Sequence, residues 1–227
     1  WFTDLTYYQH GTTQAGTLEA KYRGSEGLLQ LHRDLRVGVY LFTPPLVTIE
    51  RDPTLFSIEE KDIGDGKTLR VFCSPEGSLT SVTQSCADSF SSAILEYPVK
   101  TADDLRVVVT WYQGASYSPN YDAVLACDAH WGDDGLGVPL TPRTPLAALV
   151  AEWCGVNNLA YLVADAPAEV EATLDAMRRA EDELYRLTCA APYPLVEIPD
   201  NLSAEAVGGL WRCFSRDYYR ERVAALH

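Results

Sequence analysis

Residues 195–203 read "LVEIPDNLS", and their change from apolar to polar residues indicates the fold class. The apolar run from Leu195 to Ile198 ends at Pro199, and a helical pattern begins after Ser203. A buried strand that leads through a short polar loop into a helix is the repeating unit of a parallel sheet covered by helices. The stretch therefore predicts an α/β protein.

The same alternation of strand and helix occurs upstream. Apolar runs at residues 36–45 ("RVGVYLFTPP") and 121–130 ("YDAVLACDAH") predict two further buried strands. Helical patterns occupy residues 25–35 and 166–191. Between these two runs, alternating segments around the Asp65-Gly66 turn predict β-hairpins.

These units are too few for a complete barrel. A TIM (β/α)8 barrel typically needs about 250 residues and eight strand–helix units, whereas this chain of 227 residues offers three or four. We therefore predict an incomplete TIM barrel, about the first half, with a β-hairpin insertion. No linker is recognisable, so residues 1–227 are expected to form a single partial domain.

Composition excludes several classes of protein. Hydrophobic residues make up 47% of the chain, which is ordinary for a globular protein. The net charge of -14 argues against a nucleic-acid surface and disfavours a highly anionic substrate. No apolar run approaches the roughly 20 residues that span a bilayer, and no signal peptide opens the chain, so a membrane location is not expected.

Cysteines and charged helix residues are given structural interpretations. The six cysteines have no CxxC spacing and are expected to be reduced and mostly buried, which indicates the cytoplasm. Arg178, Arg179, Glu181 and Glu183 lie close together in the helical pattern at 166–191 and are predicted to form a solvated face. Neither group is expected to take part in catalysis.

Four segments resemble the uroporphyrinogen decarboxylase superfamily in both order and spacing. They are "CSPEGSL" (73–79), "EYPVKTADDLR" (96–106), "RTPLAALVAEWCGVNNLAYLVADAPAEVEATL" (143–174) and "DNLSAEAVGGLWRCFSRDYYRERVAALH" (200–227). The resemblance covers residues 70–227 well and the preceding residues loosely. It implies a TIM-type barrel, the fold that the alternation of elements predicts independently.

The resemblance allows two chemistries, and the sequence favours one of them. The decarboxylases of this family act on a tetrapyrrole that bears eight carboxylates. They bind it with arginines at the first barrel strand and with an aspartate after the second strand, which holds the pyrrole N–H groups. Here "WFTDLTYY" (1–8) has no arginine pair, and "LFTPP" (41–45) has prolines in place of the aspartate. With the acidic net charge, these departures favour the branch of methyltransferases that move methyl groups between corrinoid proteins, thiols and other acceptors. The decarboxylase remains the alternative.

The methyltransferase resemblance also implies cofactors and partners. In that branch zinc binds the accepting thiol and makes it a thiolate. Its ligands, a His-x-Cys pair and a later Cys, lie on strands beyond the helix that ends in "AALH" (224–227). We therefore expect no metal ligands within this chain, zinc in the intact protein, a corrinoid carried by a partner protein, and a small-molecule substrate.

Asp200 and Asn201 are the candidate catalytic residues. They follow the last predicted strand, and catalytic groups of TIM barrels lie at the carboxyl ends of the strands. A carboxylate beside a carboxamide can orient a polar substrate or position a proton-transfer partner. The alternative is that Asp200 or Ser203 only caps the helix that follows. Glu197, inside the strand, must face a polar partner or a polar interior.

Five further residues are candidate substrate-binding groups. Asp128 and His130 are two residues apart at the end of a predicted strand, so both would lie on one face, and His titrates near neutrality. Arg143, between prolines in "TPRTP", can hold a carboxylate or phosphate, or form a surface salt bridge. Residues 1–10 ("WFTDLTYYQH") resemble a first strand, which Tyr7 would follow, and Thr43 follows "YLF" (40–42) in the next strand. Both would line the pocket, with core packing as the alternative for Tyr7.

A non-catalytic role is the third interpretation. Four parallel strands that do not close into a barrel leave two unpaired edges and an uncovered face, which is unfavourable in water. Such a half-barrel would bind a partner or pair with a second copy of itself. The sequence therefore also allows a homo-oligomer.

Overall fold

The computed structural model describes residues 2–86, 91–201, 203 and 207–226. The protein is of the mixed α/β class predicted from the sequence, with about half of its residues in helices and a quarter in strands. The chain divides into two compact units. Unit 1 comprises residues 1–48, 119–142 and 190–199, and unit 2 comprises residues 49–118, 143–189 and 200–227. The single domain over the whole chain remains a prediction.

The elements are numbered in chain order. The strands are β1 (Phe2–Thr3), β2 (Gly38–Phe42), β3 (Val47–Arg51), β4 (Ser57–Gly64), β5 (Lys67–Ser74), β6 (Gly77–Cys86), β7 (Ser91–Glu96), β8 (Ala115–Pro119) and β9 (Gly135–Val138). The α-helices are α1 (Thr6–Gln14), α2 (Gly24–Leu35), α3 (Leu105–Gln113), α4 (Tyr121–Trp131), α5 (Pro145–Ala148), α6 (Val156–Asp165), α7 (Pro167–Ala180), α8 (Asp182–Cys189), α9 (Leu210–Phe214) and α10 (Arg216–Leu226). A π-helical turn, Leu149–Trp153, follows α5 directly.

Unit 1 contains a parallel sheet with the strand order β1-β2-β9. An isolated parallel bridge joins Leu140, just after β9, to Glu197. The Glu197 amide donates to the Pro139 carbonyl at 3.0 Å, and the Thr141 amide donates to the Glu197 carbonyl at 2.9 Å. Glu197 therefore occupies the place where a fourth parallel strand would add. In the described part of the chain the sheets do not close into a barrel.

The third parallel strand differs from the prediction. Residues 121–130, predicted as a buried strand, form helix α4, and the strand lies in the glycine-rich stretch that follows. Ala and Leu, which are strong helix formers, account for four of the ten residues in that run. In β9, a Cβ atom at Gly135 would lie 2.3 Å from the Cβ of Val39. Close packing against β2 therefore requires glycine, a residue that is ordinarily rare in strands.

Two other predicted elements are shorter than expected. The strand at 195–198 is reduced to the single bridge at Glu197, and Pro194 and Pro199 explain why, because proline cannot donate to a strand pairing. The long helix at 166–191 is interrupted between α7 and α8. Glu181 lies at this break with only 2% of its surface exposed, so the solvated face predicted for it is wrong.

Unit 2 contains the predicted hairpins. Strands β4-β5-β6-β7 form an antiparallel sheet in that order, and β3 pairs with β8 as a separate two-stranded sheet. The turn between β4 and β5 has positive φ at Asp65 (53°) and at Gly66 (69°). Two positive φ angles are the geometry of the type I′ turn that an Asp-Gly pair favours. The hairpin predicted around Asp65-Gly66 is therefore confirmed.

The core of unit 2 lies among its helices. Its centre is aromatic: Trp111 of α3 packs edge-to-face on Phe72 of β5, and Trp153 contacts both. Around them lie buried aliphatic residues of α3, the π-helical turn, α6 and α7. Cys154 is buried in this core as predicted, but Cys86, Cys189 and Cys213 are exposed, so the cysteines are not mostly buried.

Among the described helices, none is by itself long and apolar enough to cross a membrane. The segments Pro145–Trp153 and Val156–Asp165 reach the required length and apolar character only when they are counted together, and they are bent by 119°.

Candidate functional site

One face of the unit 1 sheet carries aromatic side chains and a carboxylate. Side chains alternate along a strand, so Gly38, Tyr40 and Phe42 share one face of β2. A Cβ atom at Gly38 would lie 2.5 Å from Cδ1 of Phe2, which places the Phe2 ring on this same face. Phe2 is 63% exposed and Phe42 is 55% exposed. We call Phe2, Tyr40, Phe42 and Glu197 the aromatic face.

Glu197 joins this face through Tyr40. The Tyr40 hydroxyl donates a 2.7 Å hydrogen bond to Oε2 of Glu197. The prediction that a carboxylate at this position must face a polar partner is therefore confirmed. The hydrogen bond raises the pKa of the Tyr40 phenol, because loss of its proton would bring two negatively charged oxygen atoms into contact.

The Glu197 carboxylate has little compensation from the protein. Among the described residues, the Tyr40 hydroxyl is the one donor bonded to it, and no Lys, Arg or His side chain forms an ion pair with it. Its second oxygen, Oε1, is therefore able to accept a hydrogen bond or a positive charge from a ligand. Neither Tyr40 nor Phe42 stood out in the sequence, since both lie in an apolar run that predicts a buried strand.

The predicted site residue Asp128 lies on the opposite face of the sheet. It accepts a 2.7 Å hydrogen bond from the Tyr193 hydroxyl, which also lies 3.1 Å from the carbonyl oxygen of Gly137. In the register of the sheet, Tyr40 is paired with Leu136, so Gly137 points to the other side. Asp128 therefore helps to hold the Tyr193 segment against β9 and does not contribute to the aromatic face.

His130 does not share a face with Asp128, contrary to the prediction. Both residues belong to helix α4, where side chains two positions apart point in different directions. The Nδ1 atom of His130 lies 3.7 Å from Oε1 of Glu26, a contact that becomes an ion pair only when the histidine is protonated. His130 is thus placed toward α2, away from its predicted partner.

Thr43 and Tyr7 have different surroundings. Thr43 is buried, its hydroxyl donates to the Pro44 carbonyl at 2.9 Å, and its methyl carbon lies on the Gly137 side of the sheet. Tyr7 is in helix α1 and is 70% exposed, so core packing is not its role. The substrate-binding roles proposed for both residues remain predictions.

In unit 2, Asp200 is held by three donors. The Thr144 amide donates to Oδ1 at 2.9 Å, the Tyr219 hydroxyl donates to Oδ2 at 2.6 Å, and the Thr144 hydroxyl also donates to Oδ2. Thr144 immediately precedes helix α5. Asp200 therefore fixes the start of an earlier helix and joins it to α10, an anchoring role that the sequence did not reveal. Burial, together with the bond to Asp200, raises the pKa of Tyr219.

The remaining predicted residues of unit 2 lie near this anchor. Arg143 forms an ion pair with Glu152, with Nε 3.3 Å from Oε1, which is the salt bridge considered as its alternative role. Burial raises the pKa of Glu152, the Arg143 charge opposes that rise, and the Asp200 charge adds to it. Asn201 is exposed. The structure thus joins Asp200 to Thr144 and Tyr219, two residues that sequence reasoning missed.

The described side chains offer no metal site. Across residues 2–86, 91–201, 203 and 207–226, no group of three or more His, Cys, Asp or Glu side chains is placed so that it could hold a metal ion. The described residues therefore supply no set of zinc ligands, and zinc in the intact protein remains a prediction.

Comparisons of the chain with models of protein families, with curated proteins and with solved structures found no match in any of the three.

Proposed function

We propose that this chain is part of a (β/α)8-barrel enzyme like those of the uroporphyrinogen decarboxylase superfamily, and that it acts in the cytoplasm in methyl transfer with a corrinoid-carrying partner. The order of the parallel segments carries the proposal. Strands β1, β2 and β9 and the bridged residue Glu197 are adjacent in the same order as in the sequence. Successive strands of a (β/α)8 barrel have this order.

The proposed reaction moves a methyl group between the partner's corrinoid and a thiol. In the direction toward the thiol, the methyl group leaves the corrinoid without the electron pair of its bond. The acceptor thiolate supplies the pair for the new carbon–sulfur bond, and the thiol proton passes to a base or to water. Glu197 supports such chemistry because one oxygen is fixed by Tyr40 and the other can accept a proton or orient a donor.

Demethylation of methylcobalamin by a simple thiol tests the proposal. The full chain is incubated anaerobically in the dark with methylcobalamin and 2-mercaptoethanol, and the loss of methylcobalamin absorbance is followed. We expect the chain to accelerate this loss and the Glu197→Gln variant to lose most of the acceleration. Tyr161→Phe, a change at an exposed position of α6, serves as the control and should react like the unchanged chain.

A rate equal to that of the thiol alone would contradict methyl transfer by this chain. Consumption of uroporphyrinogen with release of carbon dioxide would instead favour the decarboxylase alternative. Both reactions are measured on the same protein preparation, so that inactive protein cannot be mistaken for a preference for one reaction over the other.

A further inference from the structure

We propose that the aromatic face binds a small organic ammonium ion. Binding at this face does not depend on methyl transfer. Only the identification of the ammonium ion as a substrate of that reaction rests on the function proposed above. Binding breaks no covalent bond: the ammonium group is the part of the ligand that the protein recognises.

The arrangement of the rings favours a cation. The rings of Tyr40 and Phe42 have centroids 6.5 Å apart and an interplanar angle of 65°, so they form two sides of a shallow corner. The exposed ring of Phe2 lies on the same face of the sheet. Cations bind aromatic rings within about 6 Å of the centroid, because the ring face is electron-rich. The corner therefore suits a compact cation.

The carboxylate of Glu197 also favours a cation. Glu197 lies at this face with a phenol on Oε2 and, in the described part of the chain, without a basic partner. A neutral apolar ligand would cover the rings but leave the negative charge uncompensated, and an anion would be repelled. A cation is the ligand that satisfies both the rings and the carboxylate. The net charge of -14 adds attraction for a cation at long range.

The other aromatic clusters of the protein provide a comparison. In unit 2, Arg51 lies 4.6 Å above the Trp111 ring, and Arg222 lies 4.7 Å above the Tyr185 ring. These ring faces are thus filled by cations of the protein itself. Among the described residues, no Lys or Arg covers the rings of Tyr40 or Phe42. The aromatic face therefore offers the same kind of ring surface, and a cationic ligand can occupy the position that an arginine occupies in unit 2.

Binding of tetramethylammonium chloride to the full chain tests the proposal. Binding is measured by saturation-transfer NMR and calorimetry against sodium chloride at equal ionic strength, with tert-butanol as a neutral probe. We expect saturable binding of tetramethylammonium, weakened about tenfold in Glu197→Gln, the size of effect for one lost charge contact. Phe42→Leu, which keeps an apolar side chain but removes a ring, should weaken it several-fold.

A charge-matched control separates local from global electrostatics. Glu59→Gln removes one negative charge from an exposed position of β4 in unit 2 and should bind tetramethylammonium as the unchanged chain does. Circular dichroism and thermal unfolding confirm that each variant is folded before binding is compared. If Glu59→Gln and Glu197→Gln weaken binding equally, the aromatic face is not the site and the proposal fails.

Other outcomes are equally decisive. Competition by tert-butanol at the same concentrations would show an apolar pocket rather than a cation site. Absence of saturable binding would overturn the proposal. If light scattering then shows the chain to be a dimer, a second copy would be favoured as the occupant. Saturable, Glu197-dependent binding without methylcobalamin turnover would uphold the ammonium site and reject only the proposed methyl transfer.

Discussion

Tyr218 donates a 2.7 Å hydrogen bond to Oε2 of Glu181, a carboxyl group buried at the break between α7 and α8. The other oxygen, Oε1, is buried and has no hydrogen-bond partner among the described residues. Arg222 packs over the rings of Tyr185 and Tyr218 and donates to Asp182 at 2.6 Å, so its charge is shared with another carboxylate. Glu181 is therefore a buried acid with incomplete compensation.

Burial raises the pKa of Glu181 from 4.5 to about 8, while the Tyr218 bond and the Arg222 charge act in the opposite direction. The folded state thus binds a proton that the unfolded state releases between these two values. Because the folded state holds more protons, stability is greatest below the unfolded pKa and falls as pH rises toward the folded pKa.

We expect the unfolding free energy to decrease by up to about 1.4 kcal/mol per pH unit across that window, the limit for one proton. Urea unfolding at several pH values from about 5 to about 8 measures this slope. Glu181→Gln keeps the shape but cannot ionise, and it should flatten the slope. If Glu181→Gln retains the full slope, another group is responsible.

The anchor at Asp200 gives a second prediction. Asp200→Ala leaves the Thr144 amide, the Thr144 hydroxyl and the Tyr219 hydroxyl without their acceptor. Thr144 is buried, and a buried donor left without its acceptor costs about 1–3 kcal/mol. We expect a decrease in unfolding free energy in that range. Tyr219→Phe removes one donor and should cost about 1 kcal/mol. Chemical denaturation measures both changes.

The neighbouring Asn201 provides the matched control. It is exposed, so Asn201→Ala should change stability by no more than about 0.5 kcal/mol. Equal effects of Asp200→Ala and Asn201→Ala would contradict the anchoring role. Because Asp200→Ala is expected to destabilise the chain, any loss of turnover in that variant counts as catalytic only in protein shown to be folded.

Gly137 and Tyr193 should be energetically coupled. A Cβ atom at residue 137 would lie 2.7 Å from the Tyr193 hydroxyl oxygen and 2.7 Å from Cγ2 of Thr43. Gly137→Ala is therefore expected to cost about 1–3 kcal/mol through overpacking. In a Tyr193→Phe background the hydroxyl is gone, and the same change should cost at least about 0.5 kcal/mol less. A double-mutant cycle by denaturation measures the coupling, and strict additivity would contradict this packing.

Local signals in the sequence predicted local structure correctly. The apolar period of 25–35 marked helix α2, and the Asp65-Gly66 pair marked a turn with two positive φ angles. The strand in the 36–45 run was recognised from its β-branched and aromatic residues. Its predicted burial is wrong, because within β2 only Val39 is buried and Phe42 is 55% exposed. Each of these depends on residues that are close in sequence.

The features that escaped prediction depend on residues far apart in sequence. Strand β9 is glycine-rich because Val39, nearly a hundred positions earlier, packs against it, and no local pattern reports that contact. The Tyr40–Glu197 bond joins residues 157 positions apart. Glu181 is polar and lies in a helical pattern, so its burial is visible only when α10 packs against the break. The fold class could thus be predicted from the sequence, whereas most residues of the candidate site could not.

Arg51 gives the last prediction, because it is a half-buried cation with a specific geometry. Its Nε atom donates to the Trp111 carbonyl at 2.7 Å, and its guanidinium lies 4.6 Å above the Trp111 ring. Burial lowers the pKa of Arg51, which reflects incomplete solvation of the charge. Lys carries the same charge but cannot reproduce both the stacking and the directed N–H.

We expect Arg51→Lys to lower the unfolding free energy by about 1–3 kcal/mol, the sum expected for a charged hydrogen bond and a cation–π contact. Arg106→Lys is the control, since Arg106 is exposed and lies 3.8 Å from Asp103, which is also exposed. That change should fall within about 0.5 kcal/mol. Denaturation that finds the two substitutions equally tolerated would show that Arg51 contributes only its charge and the packing of its chain.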